Sequence, residues 1–123
     1  MLSNAKLTAF IPTRDADLAR AFYETTLGLE FLQDNGFALV MDSNGTAIRI
    51  TRVPEFTPFP FTLLGWETPD IENRVAELEE KGVQFLHFSQ VNQDPAGIWT
   101  APSGARVAWF KDPDGNILSV SQH

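Results

Sequence analysis

Apolar side chains recur along the chain with two periods, one near 3.6 residues and one of two, and the switches between them predict the elements. Leu18, Ala21, Phe22 and Thr25 make a helical stripe behind Asp15, whose carboxylate suits an N-cap, and Gly28 ends the pattern. Ile71, Val75 and Leu78 make a second stripe. Thr68 is its expected cap, Pro69 fits the first turn, Glu77 and Lys81 form an i,i+4 pair, and Gly82 supplies the stop.

Period-two segments surround these helices. Around the first, strands are expected at 6–12, 29–33, 36–41 and 46–52, with Asp42-Ser43-Asn44-Gly45 as the hairpin turn. Around the second they are expected at 62–67, 83–88, 105–111 and 116–121, with Asp112-Pro113-Asp114-Gly115 as the turn. The order strand, helix, three strands therefore occurs twice. Asp15 and Asp70 lie 55 residues apart and Gly28 and Gly82 lie 54 apart, whereas the turn glycines Gly45 and Gly115 lie 70 apart. The excess fits a long loop at 89–104, rich in Pro and Gly. A stiff connector at 53–61 separates the halves, because Pro54, Pro58 and Pro60 remove amide donors. Its Phe56, Phe59 and Phe61 suit packing against the core or a partner. The expected organisation is one domain, 1–123, with repeat one at about 5–52 and repeat two at about 62–121.

Splitting each strand by parity separates two faces. Leu7, Ala9, Ile11, Ile48, Ile50, Leu64, Trp66, Leu118 and Val120 give an apolar face that should carry the helices. The opposite face mixes apolar residues with Thr8, Arg49, Glu67, Ser119 and Ser121. Such a face suits either a concave cavity with a few polar anchors or a half-exposed antiparallel sheet.

Composition narrows the chemistry. Hydrophobic residues make up 43% and charged residues 20%, ordinary for a globular chain. Nine basic against sixteen acidic side chains give a net charge of −7, which disfavours nucleic acid and anionic membrane as partners. The absence of cysteine removes disulfides, thiolate nucleophiles and thiolate metal sites, and only His87 and His123 remain as imidazoles. The longest apolar run, Phe37 to Met41, is far below the roughly 20 residues of a membrane span. No secretory pattern is evident in the first residues, so a cytoplasmic location is expected.

The segment Thr13-Arg14-Asp15 running into Ala21-Phe22-Tyr23-Glu24-Thr25-Thr26-Leu27-Gly28-Leu29-Glu30-Phe31 resembles the "FY…LG" helix-to-strand signature of the vicinal oxygen chelate superfamily. That superfamily includes glyoxalase I, extradiol dioxygenases, and fosfomycin- and bleomycin-resistance proteins. Trp109-Phe110-Lys111-Asp112-Pro113-Asp114-Gly115-Asn116 is similar to its "F-x-DPDGN" turn. The resemblance implies an α+β fold in which two βαβββ repeats form a curved mixed sheet around a concave cavity, with helices on the outer face. It also implies a homodimer. The acids of the DPDG turn suit a structural turn role better than a calcium or magnesium site.

In metal-using members, first and last strands of each repeat supply ligands, and those positions fall here on Thr8, Arg49, Leu63 and Ser119. Leu63 has no donor atom, hydroxyls bind transition metals weakly, and Arg49 is permanently charged. A cation beside Arg49 would meet repulsion of roughly 4 kcal/mol per unit charge at about 4 Å and an effective dielectric near 20. The expected function is thus metal-independent binding of a small molecule, with no cofactor, lined by Thr8, Phe10, Arg49, Leu63, Glu67, Trp109 and Ser119. Phe37 and Trp99 are further candidates for aromatic walls. Arg49 either grips an anion or pairs internally with Glu67. The alternative is a lyase, isomerase or dioxygenase, metal-dependent through a noncanonical Glu67–His87 site or using a buried Glu67 as base. A third possibility is a docking module that uses the connector phenylalanines.

Overall fold

In the computed structural model, which describes residues 1–123, the chain divides into two units, Met1–Thr57 and Pro58–His123. The division falls inside the proline-rich connector.

The first unit contains β1 (Thr8–Thr13), α1 (Ala16–Arg20), β2 (Glu30–Asp34), β3 (Ala38–Ser43) and β4 (Thr46–Arg52). Its sheet runs β1-β4-β3-β2, with β1 parallel to β4 and the other neighbours antiparallel. Cross-strand register places Ile11, Ile50 and Leu39 in one row and Ala9, Ile48 and Met41 in the next. Of these six only Ala9 is not fully buried, so the apolar parity face is the core face. The Asn44-Gly45 tip has positive φ at both residues, 50° and 89°, which matches the twist of the flanking strands.

Asp15 caps α1 as expected, its carboxylate accepting from the Leu18 amide at 3.2 Å. The stripe behind it differs from the expectation. Ala19 and Tyr23 are buried, while Leu18 is exposed and Phe22 only half-buried. From Ala21 to Thr26 the helix widens into a π turn, with the Leu27 amide donating to the Phe22 carbonyl five residues back. This widening departs from the 3.6-residue period. Small Ala19 faces inward without adding bulk, and Phe22 meets Tyr23 edge-on at 5.2 Å.

The second unit contains β5 (Thr62–Glu67), α2 (Ile71–Glu80), β6 (Trp99–Thr100), β7 (Arg106–Lys111) and β8 (Ile117–Gln122). Its sheet runs β5-β8-β7-β6 with β5 parallel to β8, the same permutation as in the first unit. The α+β class and the two βαβββ repeats are therefore present as two four-stranded mixed sheets. Ile71, Val75 and Leu78 are buried as the stripe predicts.

Three local details depart from expectation. Asp70 caps α2, accepting from the Asn73 amide at 3.3 Å, while Thr68 accepts from the Asp70 amide at 3.4 Å one step earlier. Glu77 pairs with Arg74 at 3.1 Å in place of Lys81. Residues 83–88 form no strand beyond an isolated bridge from Phe85 to Phe110, and the edge strand lies instead at Trp99–Thr100 within the expected loop. The cause is a side chain. Gln93 accepts from the Phe88 amide at 2.6 Å and donates to the carbonyls of Leu86 (2.9 Å) and Gly97 (2.7 Å), occupying groups that a ladder would otherwise pair. No helix is long and apolar enough to cross a membrane.

Candidate functional site

Alternation in the first unit leaves a second sheet face, on which Ala38 and Val40 of β3 are also buried. Register places Phe10 opposite Arg49 and Arg49 opposite Val40, giving a row of ring, guanidinium and aliphatic side chain. Thr8 lies one row away on the same face, opposite Ala47. Phe10 is 61% exposed and Arg49 half-buried. The ion pairs of this unit are Arg20–Glu24 and Arg52–Asp34, and Arg49 enters neither. Its donors are available to an outside acceptor. Arg52 holds Asp34 through two bonds of 2.8 Å, and together with the Gly36 amide it lowers the Asp34 carboxyl to about 2. Phe37, a candidate wall, is 80% exposed at the turn before β3.

In the second unit, Ser119 lies opposite both Gly65 and Trp109. A Cβ at position 65 would collide with the Ser119 hydroxyl, so the glycine makes room for that side chain. Ser119 is buried. The Trp109 indole donates to Thr62 Oγ1 at 3.1 Å, Phe88 meets its ring edge-on at 5.5 Å, and Trp99 lies at 6.0 Å. Leu63 sits at the bulge between Thr62 and Leu64, out of the regular ladder. The sequence reading had Trp99 and Trp109 but missed Phe88 and Gln93. Phe88 lay in a segment expected to be a plain strand, and nothing in the spacing marked Gln93 as a clamp.

Glu67 is 74% exposed and lies 3.6 Å from His123, so the burial that would make it a base is not provided. It lines a small cavity with Thr68, Pro69 and His123, whereas His87 lines a separate one.

The side chains at the positions that the resemblance assigns to metal ligands do not suit a divalent ion. Thr8 and Ser119 offer neutral hydroxyls, Leu63 offers nothing, and Arg49 offers a positive charge. No three His, Asp or Glu side chains converge where they could hold a metal. In the DPDG turn, Asp112 is buried and its carboxylate accepts from the Asp114 and Asn116 amides and the Asn116 side chain at 2.9–3.0 Å. Those bonds are the turn's own scaffold.

Residues 6–120 match the sequence family described as the Glyoxalase/Bleomycin resistance protein/Dioxygenase superfamily. Among solved structures, the chain resembles a member of the same superfamily from Sphaerobacter thermophilus (26% identity, all of both chains, TM-score 0.78). It also resembles a glyoxalase family protein from Enterococcus faecalis (22% identity, 98% of this chain and 99% of that one, TM-score 0.76). A lactoylglutathione lyase from Agrobacterium tumefaciens shares the fold at 17% identity, over 97% of this chain and 93% of that one, with a TM-score of 0.73. No curated protein matches the sequence significantly.

Proposed function

The chain belongs to the Glyoxalase/Bleomycin resistance protein/Dioxygenase superfamily, and from that premise we propose that it binds a small molecule without a metal ion, on the sheet faces its helices leave free. The observation that carries this reading is Arg49. It stands where a metal-using relative needs a ligand, and it shares a row with Phe10 and Val40 while entering no ion pair of its unit. A guanidinium beside a ring and an aliphatic wall suits a carboxylate or phosphate attached to an apolar group. Thr8 adds a hydroxyl on the same face. In the second unit Trp109 and Ser119 offer an indole and a second hydroxyl in one row.

The test is a thermal-shift screen of small carboxylates, phosphates and cationic amines against the full chain. A ligand at 100 times its dissociation constant should add about 2.7 kcal/mol of stability. The reading predicts hits among the anions that vanish in Arg49→Met. Hits confined to cations, or a set of anionic hits of which none is lost in Arg49→Met, contradict it. The protein is expected to act as a cytoplasmic homodimer, for which the exposed Leu7 and Phe37 supply apolar surface. Light scattering that finds only monomer at micromolar concentration contradicts that expectation.

A further inference from the structure

We infer that a cavity of about 470 Å³ within the second unit is a binding site for a small aromatic carboxylate, with Lys111 as its charge partner. It does not depend on Arg49 or on the reading above.

Three features make the cavity a built site. One wall is the Pro58-Phe59-Pro60 segment. Its prolines have fixed φ, Phe59 stacks on Phe61 with ring centroids 5.1 Å apart, and Gly115 lies close against Pro58. A second lining segment is Leu86 to Phe88. It is tied down by the Gln93 bonds at Leu86 and Phe88, and by the Leu86 amide donating to the Trp109 carbonyl at 2.8 Å. The third part of the lining is Lys111 and Ile117, register partners on β7 and β8. Walls fixed before binding reduce the ordering cost that a ligand would otherwise meet.

Charge decides the ligand class. The chain carries sixteen acidic side chains against nine basic ones, yet the only ionisable groups lining this cavity are Lys111 and His87. No carboxylate lines it. Lys111 takes part in neither the Arg74–Glu77 nor the Arg106–Glu72 ion pair of its unit. The remaining lining is apolar and includes Phe59 and Phe88. An aromatic ring against this lining with its anionic group toward Lys111 satisfies both halves of it.

An amide-resolved NMR titration of the full chain with phenylacetate, and with neutral phenylacetamide, tests the proposal. Phenylacetate should move the signals of His87, Phe88, Lys111 and Ile117. Lys111→Met, which keeps the aliphatic stem, should weaken it roughly fivefold, as for a partly exposed ion pair, and Lys111→Glu should weaken it further. Phenylacetamide should bind the wild type about as weakly as phenylacetate binds Lys111→Met. Arg49→Met should leave the shifts of those four signals unchanged, whatever it does to signals near Arg49. The proposal is overturned if phenylacetate leaves those four signals in place, if Lys111→Glu binds it as well as wild type, or if the amide equals the acid. Shifts confined to the Phe10 and Arg49 signals and lost in Arg49→Met would overturn this site while supporting the other one.

Discussion

The two repeats share one strand permutation but secure its outer edge differently. In the first unit β2 pairs with β3 through main-chain bonds, broken only by a bulge between Phe31 and Gln33. In the second, the segment after the helix makes a single bridge at Phe85, and β6 contributes two residues. There the Gln93 side chain takes over, with one amide group satisfying three backbone positions. A ladder uses backbone that every residue carries, so it survives substitution. A side-chain clamp concentrates the same task in one residue. The chain between 89 and 98 then turns back on itself, Gln93 bridging to Trp99, and Phe88 and Trp99 lie beside Trp109.

The largest expected effect lies in the core of the second unit. Phe110 is fully buried, bridges to Phe85 and meets its ring edge-on at 5.5 Å. Phe110→Ala should cost about 3–5 kcal/mol in chemical denaturation, through lost burial and the remaining cavity. Next is Gln93→Ala, which leaves the Phe88 amide and the Leu86 and Gly97 carbonyls without their partner. It should cost about 2 kcal/mol, with amide exchange accelerated over 86–98 and unchanged in the first unit. Leu32→Ala, at the exposed bulge of β2, should fall within about 0.5 kcal/mol. If Gln93→Ala is as mild as Leu32→Ala, the contrast between clamp and ladder is wrong.

The smallest effect concerns the first unit's edge. Asp34 is held at about 2 by Arg52 and the Gly36 amide, below its ordinary 3.8. Its folded value is depressed, so the stabilisation is complete above the unfolded value and declines as pH falls, ending below about 2. A carboxyl titration followed by NMR should find that midpoint, and Arg52→Gln should return it toward 3.8.

Much of this was legible in the sequence because it rests on local rules. Thr62 to Glu67 and Thr46 to Arg52 match their predicted strands, Asp15 and the Ile71–Val75–Leu78 stripe behave as read, and both turns form. The Phe10–Arg49 and Trp109–Ser119 pairings follow from parity once the strands are paired. What was not legible depends on contacts distant in sequence or on departures from regular period. The buried stripe is Ala19 and Tyr23, an i,i+4 pair one residue round from the expected Leu18 and Phe22, and spacing alone suits either. The Gln93 clamp replaced a strand at 83–88 whose apolar pattern looked sufficient. The Lys111 cavity brings together three separate segments that no spacing connects.

We propose that Thr8, Arg49, Leu63 and Ser119, the positions that the family resemblance assigns to metal ligands, hold no ion. Calorimetric titration of chelator-free protein with nickel, zinc, manganese and ferrous iron tests it directly. No stoichiometric binding of any of the four is expected. One tightly held ion per chain, lost in the Thr8→Val and Ser119→Ala variants, would contradict it.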